Sequence, residues 1–478
     1  MKAAGGRPRT ATLATAVLLT AMTVVRPGFG QPPAAPDSDV PPVATRLAWE
    51  NPAGPPPPRI SLPVFADRGF ATFGWIDAGI GGNNWGSPFN GPITFPDRNW
   101  QGQVNQCYLA TERVADADSG DWDWGGRVDL LLGTDSIFTT ARGLDAYSFQ
   151  RYGIENVASW AFTKDYGLAL PQLYADVARG DMTLRFGHFY GIFGFEQVPA
   201  IGNFFYSHAF SMQYSPFTFT GMLGSWTPSE WLTVYAGIHT GWNNFTDPMP
   251  TAGRWAIVNP EAPGAGSTAG FLGGVVLAND DKSRTLAIST TSGNEVSPLG
   301  PSPADGSLVG NRSLITTVFT AVLTEQLTYV FEHDAAWQFN AGVPPGNVGQ
   351  PGGLAQWYSF NQYLFWRFND RWAGGVRLEY FRDNNGYLVT IPIRNLSEAG
   401  NPGFYSSGFA GNFWELTWGL NYRPNRNWVF RPELRYDWFT PNAGVTKRPY
   451  GSGVGQGINT AGDQLGQFYA GCDAIWRF

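Results

Sequence analysis

The last eleven residues, 468–478, alternate in character along their length. Phe468, Ala470, Cys472, Ala474, Trp476 and Phe478 are apolar and share one parity. Tyr469, Gly471, Asp473 and Arg477 fall on the other, with Ile475 the apolar exception. Successive side chains of a β-strand point to opposite faces, so one face of this segment is greasy and the other wet. A tilted strand needs about 9–11 residues to cross a bilayer. The chain thus ends on a segment with the length and pattern of a membrane-crossing strand, finished by an aromatic residue.

The same alternation recurs upstream. In 428–437, Trp428, Phe430, Pro432, Leu434 and Tyr436 oppose Arg431, Glu433, Arg435 and Asp437. In 413–423, Trp414, Leu416, Trp418, Leu420 and Tyr422 oppose Glu415, Thr417 and Asn421; in 124–133, Val128, Leu130 and Leu132 oppose Arg127 and Asp129. A basic side chain facing lipid at the midplane costs about 2–4 kcal/mol, so these charges must point into a wet lumen. A soluble sandwich strand, with one face in water, explains any one of these segments. It does not explain the Trp and Tyr residues near segment ends (Tyr358, Trp366, Trp372, Trp414, Tyr422, Trp428, Trp476), which read as interfacial girdles.

Sixteen candidate strands follow: 70–80, 103–113, 124–133, 169–177, 182–189, 217–226, 232–241, 270–278, 285–291, 314–323, 327–337, 356–368, 372–382, 413–423, 428–437 and 467–478. The strand at 169–177 carries Pro171, which has no N–H for a ladder. Connections alternate short and long. Ala178-Arg179-Gly180-Asp181, Thr227-Pro228-Ser229-Glu230 and Pro424-Asn425-Arg426-Asn427 are short and built from turn formers, whereas 134–168, 242–269, 384–412 and 440–466 are long. With an even strand count, every short turn lands beside the termini and every long loop on the far side, the layout of periplasmic turns and extracellular loops. Unpaired backbone groups are too costly in hydrocarbon, so the strands must close. The expected fold is all-β, a closed antiparallel transmembrane β-barrel of about 16 strands over residues 67–478, wide enough to hold an aqueous bore.

Two segments precede it. Lys2, Arg7 and Arg9 followed by the apolar run 11–25 and by Gly28-Phe29-Gly30 read as a signal peptide over residues 1–30. Residues 31–66 are a Pro-rich periplasmic extension without periodicity. Losing residues 1–30 removes four basic side chains and no acidic ones, taking the formal charge from −7 to −11. That excludes nucleic acid as a partner. Charged residues make up 14% of the chain against about 25% in soluble domains, while aromatics reach 15%. Cys107 and Cys472 fall on the second and last strands, too far apart to bridge across the first, so two free thiols are expected.

The middle of the chain resembles the OmpL-like β-barrel porin family. The resemblance rests on Gly126-Arg127-Val128-Asp129-Leu130 with Gly133-Thr134-Asp135, Gln172-Leu173-Tyr174, Phe186-Gly187-His188-Phe189-Tyr190, Asn203-Phe204-Phe205-Tyr206-Ser207-His208 and Gln213-Tyr214. The terminal strand is similar to the closing strand of bacterial outer-membrane barrels, where a final Phe is read by the assembly machinery. The resemblance implies an outer-membrane porin, a passive channel for small hydrophilic solutes or ions. By analogy with general porins it also implies a homotrimer, with outer-membrane lipid as the other partner.

Within that frame, segment 191–216 follows the fifth strand and is rich in Phe and Tyr rather than loop polars, so it is expected to fold inward and narrow the bore. Phe195, Glu196, Asn203, Tyr206 and His208 are its candidate constriction residues. Selectivity is expected from lumen charges: Arg127, Asp129, Arg185, Arg377, Glu379, Glu415, Arg431, Glu433, Arg435 and Asp437, with Asp473 and Arg477 beside them. Alternating sign along 431–437 favours cross-strand pairing for most of these. Inward aromatics (Tyr174, Tyr235, Tyr363, Phe413) keep a carbohydrate-selective channel open, and the long loops keep open a plugged barrel acting in surface binding or adhesion. Ser207-His208 invites a hydrolase reading, but adjacency is not triad geometry and there is no nucleophile elbow. The acidic stretch 116–123 fails as a calcium loop because its twelfth position is Arg127. No catalytic site, cofactor or metal site is expected.

Overall fold

The computed structural model describes residues 60, 63–116, 120–141, 143–145, 163, 165–245, 269–296, 309–342, 352–389, 408–454 and 462–478. The expected signal peptide and nearly all of the Pro-rich segment lie outside them.

Sixteen strands run in chain order: β1 (Ala71–Asn83), β2 (Gln103–Arg113), β3 (Asp123–Gly133), β4 (Gly167–Arg179), β5 (Met182–Tyr190), β6 (Thr218–Ser229), β7 (Leu232–His239), β8 (Gly270–Ala278), β9 (Arg284–Val296), β10 (Val309–Val322), β11 (Leu327–Phe339), β12 (Leu354–Arg367), β13 (Trp372–Asp383), β14 (Gly411–Asn425), β15 (Trp428–Pro441) and β16 (Gly466–Arg477). Each pairs antiparallel with its sequence neighbours, and β1 pairs with β16 to close the ring. Closure includes the last residue: Gly74 and Phe478 exchange both backbone hydrogen bonds, at 3.0 and 2.9 Å. No backbone edge is left for lipid to face.

Every expected strand is present, and several run longer than the turn residues imply. β6 continues to Ser229, so the turn to β7 is only Glu230 and Trp231; β14 continues to Asn425, leaving Arg426 and Asn427. Both extensions pass through a register shift, after Trp226 and after Tyr422. A bulge lets pairing resume where Pro228 or Pro424 interrupts it. Pro171 is accommodated the same way: the β3–β4 register shifts between Asp129 and Leu131, opposite it.

The faces sort as the alternation requires. On β15, Val429, Arg431, Glu433, Arg435, Asp437 and Phe439 are buried inward, while Trp428, Pro432 and Leu434 are exposed outward. On β16, Gln467, Tyr469, Asp473 and Ile475 point in, and Phe468, Cys472 and Trp476 point out. The two cysteines are free thiols. Leu434 is 61% exposed near the middle of its strand. Replacing it by Arg is expected to lower folding stability in lipid vesicles by about 2–4 kcal/mol, read from guanidine unfolding; no change would put that face in water rather than lipid.

Candidate functional site

Segment 191–217 leaves the barrel wall at the end of β5 and returns at β6. In a ring of sixteen, β13 and β14 are the strands opposite β5 and β6. The segment reaches them and β15, so it crosses the bore. Phe204 and Phe205 pack there in a buried cluster with Val318, Val330, Tyr363, Phe365 and Ala373.

An irregular segment buried in a barrel carries backbone groups with no ladder partner, and each must be satisfied. The far wall supplies the partners. Glu433 accepts from the Tyr206 and Ser207 amides (2.9 and 3.0 Å). Glu379 accepts from the Phe210 and Ser211 amides (2.6 and 2.8 Å). Arg431 donates to the Ala200 and Asn203 carbonyls (2.9 Å each), Arg377 to the Ser207 carbonyl (2.8 Å) and Arg435 to the His208 carbonyl (2.7 Å). The alternation of Arg and Glu on β15 therefore matches carbonyls and amides of the crossing segment in turn. Such charge-assisted bonds are about twice as strong as neutral ones.

The arginines also hold carboxylates. Arg377 pairs with Glu415 (2.8 Å) and Glu196 (2.6 Å), Arg435 with Asp437 (2.8 Å), and Arg431 with Asp473. On the near wall, Arg127 pairs with Asp129 (2.6 Å), which also accepts from Tyr108 Oη and Gln172 Nε2. Arg185 forms a two-point pair with Asp176 (2.9 Å each) and lies 3.7 Å over the Tyr174 ring.

Nine of the ten charges picked from the sequence are buried inside the barrel and the tenth, Arg185, lines the interior cavity; the crossing segment brings seven of them together: Arg377, Glu379, Glu415, Arg431, Glu433, Arg435 and Asp437. These seven do not face open water as expected. They are buried beneath the segment, because the partners they find are its backbone and side chains rather than solvent. Tyr363 and Phe413 are covered as well, and Arg185 covers Tyr174. Tyr235, Asp176 and Arg185 border a cavity of about 320 Å³ between the crossing segment and β4–β7. Arg477 lies at the turn, where its backbone pairs with Asn427.

The five loop candidates hold the segment's shape. Phe195 lies on the Tyr363 ring (centroids 4.9 Å apart). Asn203 donates to the Gln197 carbonyl (2.6 Å) and accepts from its amide (2.9 Å). Tyr206 donates to Asn105 Oδ1 (2.8 Å). His208 Nδ1 meets Glu196 Oε2 (3.0 Å), and its ring packs on Phe95. Ser207 Oγ accepts from Arg377 and Arg435 (3.3 and 3.4 Å), guanidinium groups rather than the neighbouring imidazole.

Burial pushes the Glu196 carboxyl up, but Arg377 and His208 outweigh it and hold the group at about 2. A depressed value stabilises the fold above the ordinary 4.5 and loses that contribution as pH falls through about 2. The stability gap between this chain and its Glu196→Gln variant is expected to be constant at neutral pH, shrink below the ordinary value and vanish near the depressed one. Denaturant unfolding across that range checks it; a gap independent of pH would remove the charged contact.

The sequence reading missed two further inward segments. Residues 84–102 bury Phe89, Ile93 and Phe95, and Phe95 stacks on Phe138 from the segment after β3 (5.0 Å). Thr94 bonds Gln213 Oε1 through both its amide and hydroxyl. The signal was three apolar residues set among Pro88, Pro92 and Pro96, a composition too greasy for a surface loop. Glu332 on β11 was missed too; it accepts from the Phe195 amide (3.3 Å).

Comparison with curated proteins gives no match. Among solved structures the chain is similar to the outer membrane channel DcaP of Acinetobacter baumannii (8% identity, TM-score 0.51, covering 86% of this chain and 98% of that one). It is similar to the anion-selective porin from Comamonas acidovorans (9%, 0.50, covering 86% and 99%) and to OprB of Pseudomonas putida (11%, 0.50, covering 87% and 96%). At such identities the likeness is one of fold. The sequence itself carries the family: residues 69–478 match the model described as "Putative beta-barrel porin-2, OmpL-like". With the closed barrel and its bore-crossing segment, this chain belongs to that family of outer-membrane porins.

Proposed function

We propose that this protein is an outer-membrane channel for passive diffusion of small hydrophilic solutes, whose path runs beside the crossing segment along β4–β7. The observation that carries the reading is the pinning of segment 191–217 to the far wall, which leaves the cavity bordered by Asp176, Arg185 and Tyr235 on the near side. Passage needs neither cofactor nor catalysis. Mature chains begin after the signal segment, the Pro-rich extension lies in the periplasm, and the chain assembles as a homo-oligomer, a trimer by analogy with general porins.

The channel is weakly selective in this reading. Each of Arg127, Arg185, Arg377, Arg431 and Arg435 is matched by a carboxylate. On the near side, the cavity is bordered by the Asp176–Arg185 pair, which adds no net charge to the path. An excess of one sign near a constriction sets which ions enter, and here neither sign is in excess along the path. Single-channel recording of the purified chain in a planar bilayer under a salt gradient tests both parts. Stepwise current with a reversal potential near zero is expected. A correctly folded but silent barrel overturns the channel. It would favour the second reading, a plugged barrel working through its outer loops, which the inward burial of Phe89, Ile93 and Phe95 supports.

A further inference from the structure

The outer wall of β10–β12 carries two large polar side chains in the apolar band. His333 faces outward on β11, four residues from Tyr329 on one side and from Trp337 on the other. Gln362 faces outward on β12, four residues from Tyr358 and from Trp366. Aromatic residues of this kind mark the two membrane interfaces, so both polar side chains sit at mid-height in the apolar band. Thr317 stands directly across from His333 on β10. On six other strands the outward residue near the middle is apolar: Leu109, Leu130, Leu173, Phe186, Leu378 and Leu434; on β9 it is Thr290, whose hydroxyl donates to the Leu314 carbonyl (3.0 Å).

These polar groups are only half satisfied. Gln362 is exposed; its Oε1 accepts from Tyr329 Oη at 3.2 Å, and its two amide N–H donors have no partner among the described residues. The His333 ring lies flat on Phe360, with centroids 4.3 Å apart. Its Nδ1 meets the Ser359 carbonyl at 2.7 Å, and since a carbonyl only accepts, Nδ1 is the donor. In the neutral ring Nε2 is then a bare acceptor, without a partner among the described residues. Acyl chains can satisfy neither a free amide donor nor a free imidazole acceptor.

We propose that this wall is the contact surface with a second copy of the chain. The inference deepens the homo-oligomer reading above and rests on it. Donor and acceptor stand on the same patch, so the patch complements itself. When a rotation axis brings the same wall of two copies together, the Gln362 amide of one meets the free imidazole nitrogen of the other. Around that polar centre, Ile315, Phe360 and Leu364 supply exposed apolar contacts. Polar side chains act as glue between membrane segments for this reason: their alternative is an unsatisfied group in hydrocarbon.

The test is a photo-crosslinking residue placed at Leu364, on the same patch, in the full chain, irradiated in intact outer membranes, with the same residue at Leu434 for comparison. The expected adduct at 364 has twice the mass of one chain and contains this chain alone, while 434 yields lipid adducts. An adduct of 364 with lipid alone, or with a different protein, overturns the proposal. The double variant Gln362→Leu, His333→Phe is expected to run as a folded, heat-modifiable monomer on unheated gels, and persistence of the oligomer overturns the proposal equally. Neither readout uses current, so a silent channel that still cross-links to itself removes the porin reading and leaves the contact standing.

Discussion

A chain in which residues 193–215 are replaced by a short Gly-Ser link is expected to pass several times the current of the intact protein in single-channel recordings. The barrel wall does not need the segment. Its ladder is closed through β1 and β16 and runs unbroken around all sixteen strands. Nor does removal strand the wall charges. Arg377 keeps Glu415, Arg431 keeps Asp473 and Arg435 keeps Asp437, and the released Glu379 and Glu433 face water, where an ionised carboxylate is at no disadvantage. What disappears is the aromatic filling, with Phe204, Phe205 and Phe210 leaving the bore. A sixteen-stranded barrel without it is an aqueous channel. Unchanged current from a properly folded deletion would mean that the segment does not limit passage, and the path beside β4–β7 would have to be abandoned.

Strand positions were legible because lipid enforces them. An Arg at position 431 or 435 on the wrong face is prohibitive, so the period-two pattern of 428–437 has one solution, and β15 adopts it. The same constraint made the strand count and the sorting of short and long connections readable. The inward fold of 191–216 was readable from composition, since Phe204, Phe205 and Phe210 need a cover that no extracellular loop offers.

The covering of the charges was not readable. It depends on contacts between positions far apart in sequence: Tyr206 to Glu433 spans 227 residues and Phe210 to Glu379 spans 169. Alternating sign along a strand looks the same whether the charges pair with each other, face water or receive a loop backbone. Turn lengths were overestimated for a local reason. Pro228 and Pro424 end pairing in an ideal ladder, but a bulge restores it one or two residues later. Segment 84–102 was overlooked because its apolar residues are separated by prolines and have no strand or helix period, although Phe95 and Ile93 are buried.

Arg377→Ala is expected to be the most damaging single substitution in the interior. One guanidinium there holds Glu415 and Glu196, donates to the Ser207 carbonyl and lies 5.0 Å over the Phe205 ring. Both carboxylates are buried, and removing one partner of a buried ion pair costs about 3–5 kcal/mol because the other charge is left without compensation. Glu415 retains a longer contact to Arg435 at 3.5 Å and Glu196 keeps His208 at 3.0 Å, so what is lost outright is the tie between β13 and the Glu196 end of the network. That end is the crossing segment itself, and its release has a second signature, flicker in the open-channel current as residues near Ser207 detach from β13. Arg377→Lys separates charge from geometry. It keeps a cation but cannot reach two carboxylates and a carbonyl in one plane, so it should fall between the two in stability and still flicker. Guanidine unfolding in vesicles and current noise from the same preparation measure both effects. A loss within the roughly 0–1 kcal/mol typical of solvent-exposed pairs, with quiet current, would mean that water reaches Glu196 and that the segment is fixed by its aromatic contacts instead.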